Sequence, residues 1–171
     1  STYSPVDGYL ELKEAICRKF KRDNNLDYKA DQIVVSTGAK QSIANVVLSI
    51  VNAGDEVIIP APYWVSYVEI VKVAEGESII VNAGIESDFK ITPAQLEAAI
   101  TPKTKMMIFS TPCNPTGSVY SKEELKGLAT VLAKHPQIVV ISDEIYEHIN
   151  FGTKHESLAQ FPEIYEQVVT I

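Results

Sequence analysis

Short runs of consecutive apolar residues, rich in Val and Ile, recur along the chain and alternate with segments of helical period. Residues 32–37, 56–60, 77–82, 105–110, 137–142 and 167–171 predict six β-strands. Several of these runs lack polar alternation, as strands covered on both faces require. Tyr9, Leu12, Ile16 and Phe20 repeat at spacings of three and four and predict an amphipathic first helix. Thr92 before Pro93 reads as an N-cap followed by proline at the first helical position. Ser121 with Glu124 three residues on is a capping-box start for a helix to about Lys134. The alternation predicts one α/β domain: a mostly parallel open sheet with right-handed crossovers and helices on both faces. No repeat, low-complexity tract or linker interrupts it.

A chain of 171 residues is long enough for one such domain. Hydrophobic residues at 46% and charged residues at 22% mark a folded globular protein. Fifteen Lys and Arg against 22 Asp and Glu give a net charge of −7, which argues against a general nucleic-acid binder but leaves room for a local basic patch. Cys17 and Cys113 form neither a disulfide framework nor a CxxC pair and suit a reducing compartment, so a cytoplasmic location is expected. No apolar run approaches the roughly 20 residues of a membrane helix, and no signal peptide opens the chain. Asn114 is followed by Pro115, so no glycosylation acceptor survives. The chain opens at Ser1 without Met and stops within the apolar run 168–171, so the expectation is a piece of a larger protein.

Parallel sheets bind ligands at the carboxyl ends of their strands, near the switch in strand order. The loops at 36–40, 60–64, 110–117 and 142–146 are therefore where chemistry is expected. No two of the eight glycines are two apart, which removes a Rossmann fingerprint. With Gly38 as its second glycine, a P-loop would need Gly at Ile33 and Lys at Ala39. Residues 139–144 have the look of a Walker-B strand, but without a phosphate loop that reading has little support. His135, His148 and His155 show no zinc spacing, and no metal is expected.

What remains is a set of loops, each with an ordinary alternative. Ser36 to Gln41 is either a phosphate-cradling helix start or a plain strand-to-helix turn. Trp64, the only Trp, is either core or a flat surface for a planar ring. The loop 110–117, with two prolines and a glycine, is either a rigid turn or a device that aims Asn114. Asp143 ends a strongly apolar strand with no local cationic partner, so its partner is distant in sequence or is a ligand.

Pro62-Tyr63-Trp64, Asn114-Pro115-Thr116-Gly117 and Ser142-Asp143-Glu144-Ile145-Tyr146, in this order, resemble the large domain of class I, fold-type-I pyridoxal-phosphate aminotransferases. The aspartate aminotransferase branch is the most similar, and the resemblance runs from about Tyr3 to Ile171. It implies that Gly38, Ala39 and Lys40 hold the cofactor phosphate, mainly through backbone N–H groups. It implies that Trp64 stacks on the pyridine ring and shapes the substrate site. Asn114 and Tyr146 would hydrogen-bond the phenolic oxygen, with Asn114 also at the substrate site. Asp143 would pair with the pyridine nitrogen and keep it protonated, so that the ring accepts the electron pair released at the substrate Cα. Tyr3 resembles the tyrosine that reaches the neighbouring subunit's cofactor phosphate, which implies a homodimer. The family tends to have a cis peptide before the proline at Pro115, and often before the one at Pro62.

The family's Schiff-base lysine lies on a Ser-Lys segment after the strand that here is 167–171, so it falls beyond Ile171. Neither Lys40 nor Lys154 replaces it. Residues 1–171 are thus expected to be the central part of the pyridoxal-phosphate-binding large domain, without the small domain and inactive alone. The intact parent is expected to transfer an amino group from aspartate to 2-oxoglutarate. Trp64 motivates aspartate, since many relatives with other substrates carry Tyr or Phe there. The alternatives are a lyase or synthase of the same superfamily, a non-catalytic pyridoxal-phosphate-binding or assembly fragment, and the Walker-B nucleotide domain.

Overall fold

The computed structural model describes residues 3–152 and 154–171. Its centre is a five-stranded sheet of β1 (Glu56–Ala61), β2 (Glu77–Asn82), β3 (Thr104–Ser110), β4 (Val139–Asp143) and β5 (Val168–Thr170). The strand order is β2-β1-β3-β4-β5, and every neighbouring pair is parallel. This is the α/β architecture that the pattern predicts.

Alternate side chains along the central strands enter two separate cores. Val57, Ile59, Met106, Ile108 and Ile141 pack with Ile43 and Val47 of α2 (Ala39–Ile50) and with Tyr67 and Val71 of α3 (Ser66–Val73). Ile58, Met107, Phe109 and Val140 face the other way, onto Leu96 of α4 (Pro93–Ala99) and Leu125, Leu128 and Leu132 of α5 (Lys122–Leu132). Helices therefore cover both faces, which is why these strands carry no polar alternation.

The helix starts are as the sequence predicts. Thr92 Oγ1 accepts from the Gln95 N–H at 3.2 Å, with Pro93 beginning α4. Ser121 Oγ accepts from the Glu124 N–H at 3.2 Å, and the Glu124 carboxylate accepts from the Ser121 N–H at 2.7 Å. Replacing Ser121 by Ala leaves an unpaired N–H at the start of α5 and is expected to lower stability by about 1 kcal/mol, read from a urea or thermal melt.

One expectation is corrected. Residues 32–37 form no strand: Ala30–Gln32 is a single 3-10 turn, and the extended residues after it stay outside the sheet. Their backbone is tied by the Val35 N–H donating to the Asp7 carbonyl at 3.0 Å. Apolar β-branched residues favour an extended chain, but a strand exists only where a neighbour completes its ladder. The expected first helix forms as α1 (Leu10–Lys19), with its stripe covered in part: Tyr9 and Leu12 are exposed, Ile16 and Phe20 are half-buried with Phe20 against the core, and the buried residue of the helix is Lys13, paired with Asp7. Among the described residues, no helix is long and apolar enough to cross a membrane.

Candidate functional site

The order of the sheet reverses between β1 and β3, and the residues singled out in the sequence follow the carboxyl ends of the strands at and beside that point. Trp64 lies in the loop after β1, Asn114 in the loop after β3, Asp143 is the last residue of β4, and Tyr146 sits in the turn that follows. The first two loops touch, with Cys113 Sγ 3.5 Å from the Pro62 carbonyl oxygen. Cis peptides precede Pro62, Pro112 and Pro115; the one before Pro112 has no counterpart in the sequence reading.

Asp143 is buried, with 4% of its surface exposed. Its Oδ2 accepts a hydrogen bond of 2.5 Å from the hydroxyl of Tyr67, and its Oδ1 a long one of 3.4 Å from the Ile145 N–H. Burial pushes the carboxyl above its ordinary range, and the neighbouring Glu144 charge adds to this; the Tyr67 and backbone hydrogen bonds act against them. Among the described residues, no Lys, Arg or His forms an ion pair with it. Of the two partners the sequence leaves open, a distant residue or a ligand, the fold supplies a distant neutral hydroxyl, and the acid keeps no compensating cation among the described residues. Tyr67 was missed in the sequence because it reads as one more core position of α3, repeating with Val71 four residues on.

Tyr67 also joins Asp143 to Trp64, the two rings meeting edge to face with centroids 5.7 Å apart. Lys40 Nζ lies 4.9 Å from the centroid of the Trp64 ring, so the start of α2 and the loop after β1 share one cleft. Gly38, the N-cap of α2, has φ 90° and ψ 163°, a backbone that strains any side-chain-bearing residue. Ala39 and Lys40 are the first residues of the helix, where N–H groups have no partner within it, and the helix dipole favours an anion. The turn is held by Thr37 N–H donating to Gln41 Oε1 at 2.5 Å.

Asn114 and Tyr146 line an adjoining open cavity of about 1150 Å³ with Cys113, Thr116, Lys122 and Lys154. Trp64, Lys40 and Asp143 are not among its lining residues. Tyr3 is fully exposed on the N-terminal arm, and the structure does not bring it to the others.

The family model described as aminotransferase class I and II matches residues 1–170. The chain belongs to that family. As a class I and II aminotransferase chain, it is 53% identical over 171 residues to a probable aspartate/prephenate aminotransferase of Rickettsia bellii, covering 99% of itself and 43% of that relative. It is 51% identical over 170 residues to an aspartate/prephenate aminotransferase of Cereibacter sphaeroides, covering 98% of itself and 42% of the relative. Among solved structures it resembles an aspartate aminotransferase from Rhizobium meliloti with TM-score 0.96 and 41% identity, covering 99% of itself and 43% of that chain. An aspartate aminotransferase from Thermus thermophilus with maleate matches at TM-score 0.94 and 39% identity, over 99% of this chain and 44% of the other. The aminotransferase chain thus spans less than half the length of these relatives.

Next to Asp143, Glu144 is buried for a different reason. Its carboxylate accepts from Ser142 Oγ at 2.7 Å, Ser157 Oγ at 2.9 Å and the Leu158 N–H at 3.3 Å, and lies 2.8 Å from His155 Nε2. These contacts fasten the segment after Tyr146 under the end of β4. His155, which the sequence shows only to lack zinc spacing, is part of this anchor.

Proposed function

We propose that these residues are the central part of the large, cofactor-binding domain of a longer pyridoxal-phosphate-dependent aminotransferase, one that moves the amino group of aspartate to 2-oxoglutarate. The observation that carries this reading is Asp143: a buried carboxylate at the carboxyl edge of the sheet, close to an aromatic surface and without a cationic partner among the described residues. An acid so placed fits a protonated heteroaromatic nitrogen, and the helix start at Gly38, Ala39 and Lys40 fits a phosphate. Pyridoxal phosphate, when bound, supplies an electron-withdrawing ring that accepts the electron pair left at the substrate Cα.

In this reading each residue holds one part of the cofactor. Asp143 keeps the ring nitrogen charged, Trp64 covers the ring and narrows the substrate site, and Asn114 and Tyr146 bind the phenolic oxygen. Asn114 also faces the substrate. The first N–H groups of α2 bind the phosphate, and Tyr3 reaches the cofactor phosphate of the second subunit of a homodimer. The lysine that carries the cofactor and moves the substrate proton belongs to sequence beyond Ile171, so residues 1–171 alone are inactive. A cytoplasmic location is part of the same proposal. The names of the relatives carry prephenate beside aspartate, which makes prephenate a second amino acceptor to examine.

The test uses the full-length protein that contains this chain. Pyridoxal phosphate is expected to raise its melting temperature and give a visible absorption band, and aspartate with 2-oxoglutarate to yield oxaloacetate and glutamate. Elimination from aspartate without amino transfer would replace this reading by a lyase. No response to pyridoxal phosphate in either melting or absorption would leave a non-catalytic domain.

A further inference from the structure

We propose that Tyr67 is a positioning residue for the cofactor's ring nitrogen: its hydroxyl occupies one oxygen of Asp143 and turns the other toward the cleft. The inference rests on the assignment of Asp143 to that nitrogen. A carboxylate at the end of a strand can rotate about its last bond, and both oxygens are equivalent until something distinguishes them. Here the distinction is built in. Oδ2 receives the 2.5 Å bond from Tyr67, whereas Oδ1 has only a 3.4 Å contact with the Ile145 N–H and keeps acceptor capacity.

The hydroxyl is itself held in place. Tyr67 is 1% exposed, its ring lies among Val71, Ile43 and Ile59, and its edge meets Trp64 at 5.7 Å. Ser110 is the register neighbour of Asp143 on β3. An ionised carboxylate only accepts, so the tyrosine hydroxyl is the donor of the 2.5 Å bond. Burial and the Asp143 charge both push the Tyr67 hydroxyl away from ionising, so it stays a donor. A residue that only filled the core would need neither the hydroxyl nor this alignment; Phe would pack as well. Because the ring touches Trp64, Tyr67 also sets the distance between the aromatic surface and the acid that serve the same ring.

The experiment compares the full-length protein with Tyr67→Phe, Asp143→Asn and the double variant. The probe is pyridoxamine phosphate, which keeps the ring and phosphate but forms no bond to a lysine. Affinity and the absorption band of the bound probe are read, with the melting temperature of the cofactor-free protein as control. Tyr67→Phe is expected to weaken binding about tenfold and move the band, since a hydrogen bond to a charged group is lost while the ring remains. In the Asp143→Asn background the same change is expected to alter affinity less than about twofold, the mark of two groups acting as one. Unchanged affinity and absorption in Tyr67→Phe, or an equal loss in both backgrounds, overturns the inference and makes Tyr67 a packing residue. If Asp143→Asn alone changes neither readout, the assignment of Asp143 fails, and the inference with it.

Discussion

Replacing Asp143 by Asn in the full-length protein is expected to weaken pyridoxal phosphate binding by about 10²–10³-fold while making the cofactor-free protein more stable at neutral pH. The two effects share one cause. Without a cation beside it, the buried carboxyl is harder to ionise than in the unfolded chain, mainly because burial strips its water. An acid raised in this way contributes its stability at pH below the ordinary carboxylate range and loses it as pH rises through the raised value. At pH 7 the ionised group is therefore a net burden on the cofactor-free fold. Asn keeps an oxygen for the Tyr67 hydroxyl and carries no charge, so a gain of about 1 kcal/mol is expected. A pyridinium beside the carboxylate reverses the sign, and losing that buried pair removes several kcal/mol of binding. Melting curves across pH, with and without cofactor, read both effects. A loss of cofactor-free stability in Asp143→Asn would mean that the carboxylate is satisfied within the protein and does not await a cation.

The adjacent Glu144→Ala variant is expected to do the opposite: lower the stability of the fold by about 3–5 kcal/mol, seen as a large drop in denaturation midpoint. Glu144 is as buried as Asp143, but its oxygens are occupied by two hydroxyls, a backbone N–H and His155. Removing the acceptor strands these donors in a site where water does not replace it, and loosens the segment 155–158 from the end of β4. Glu144→Gln keeps one oxygen and is expected to recover part of the loss. A drop below about 1 kcal/mol in the Ala variant would show that the donors find other partners.

Side by side, these residues separate what local sequence says from what packing adds. Nothing in the dipeptide Asp143-Glu144 tells which acid is filled by the protein and which is left open. That depends on Tyr67, 76 residues away, and on His155 and Ser157, which approach from a later loop. The motif around Asp143 was readable because an acid at the end of an apolar strand is costly to bury and so stands out. Tyr67 was not, because an aromatic residue at helical spacing looks the same whether its hydroxyl is used or idle. The helix start at Gly38 was legible from a glycine before a helix, but Lys40 lying over Trp64 was not, since a lysine side chain follows its surroundings.

The five parallel strands and the caps of α4 and α5 were determined by the sequence itself, through apolar runs without alternation and through cap residues at the helix starts, Thr92 before Pro93 and Ser121 three residues before Glu124. Both are local signals: each follows from side chains within one segment and the surface they must bury. Tertiary structure alone decided that residues 32–37 stay out of the sheet, that Tyr9 and Leu12 at the start of α1 stay exposed, and that Asp143 meets a hydroxyl rather than a cation. In each of these the outcome depends on a partner far along the chain, and a strand, a buried face or a charge is complete only when that partner arrives.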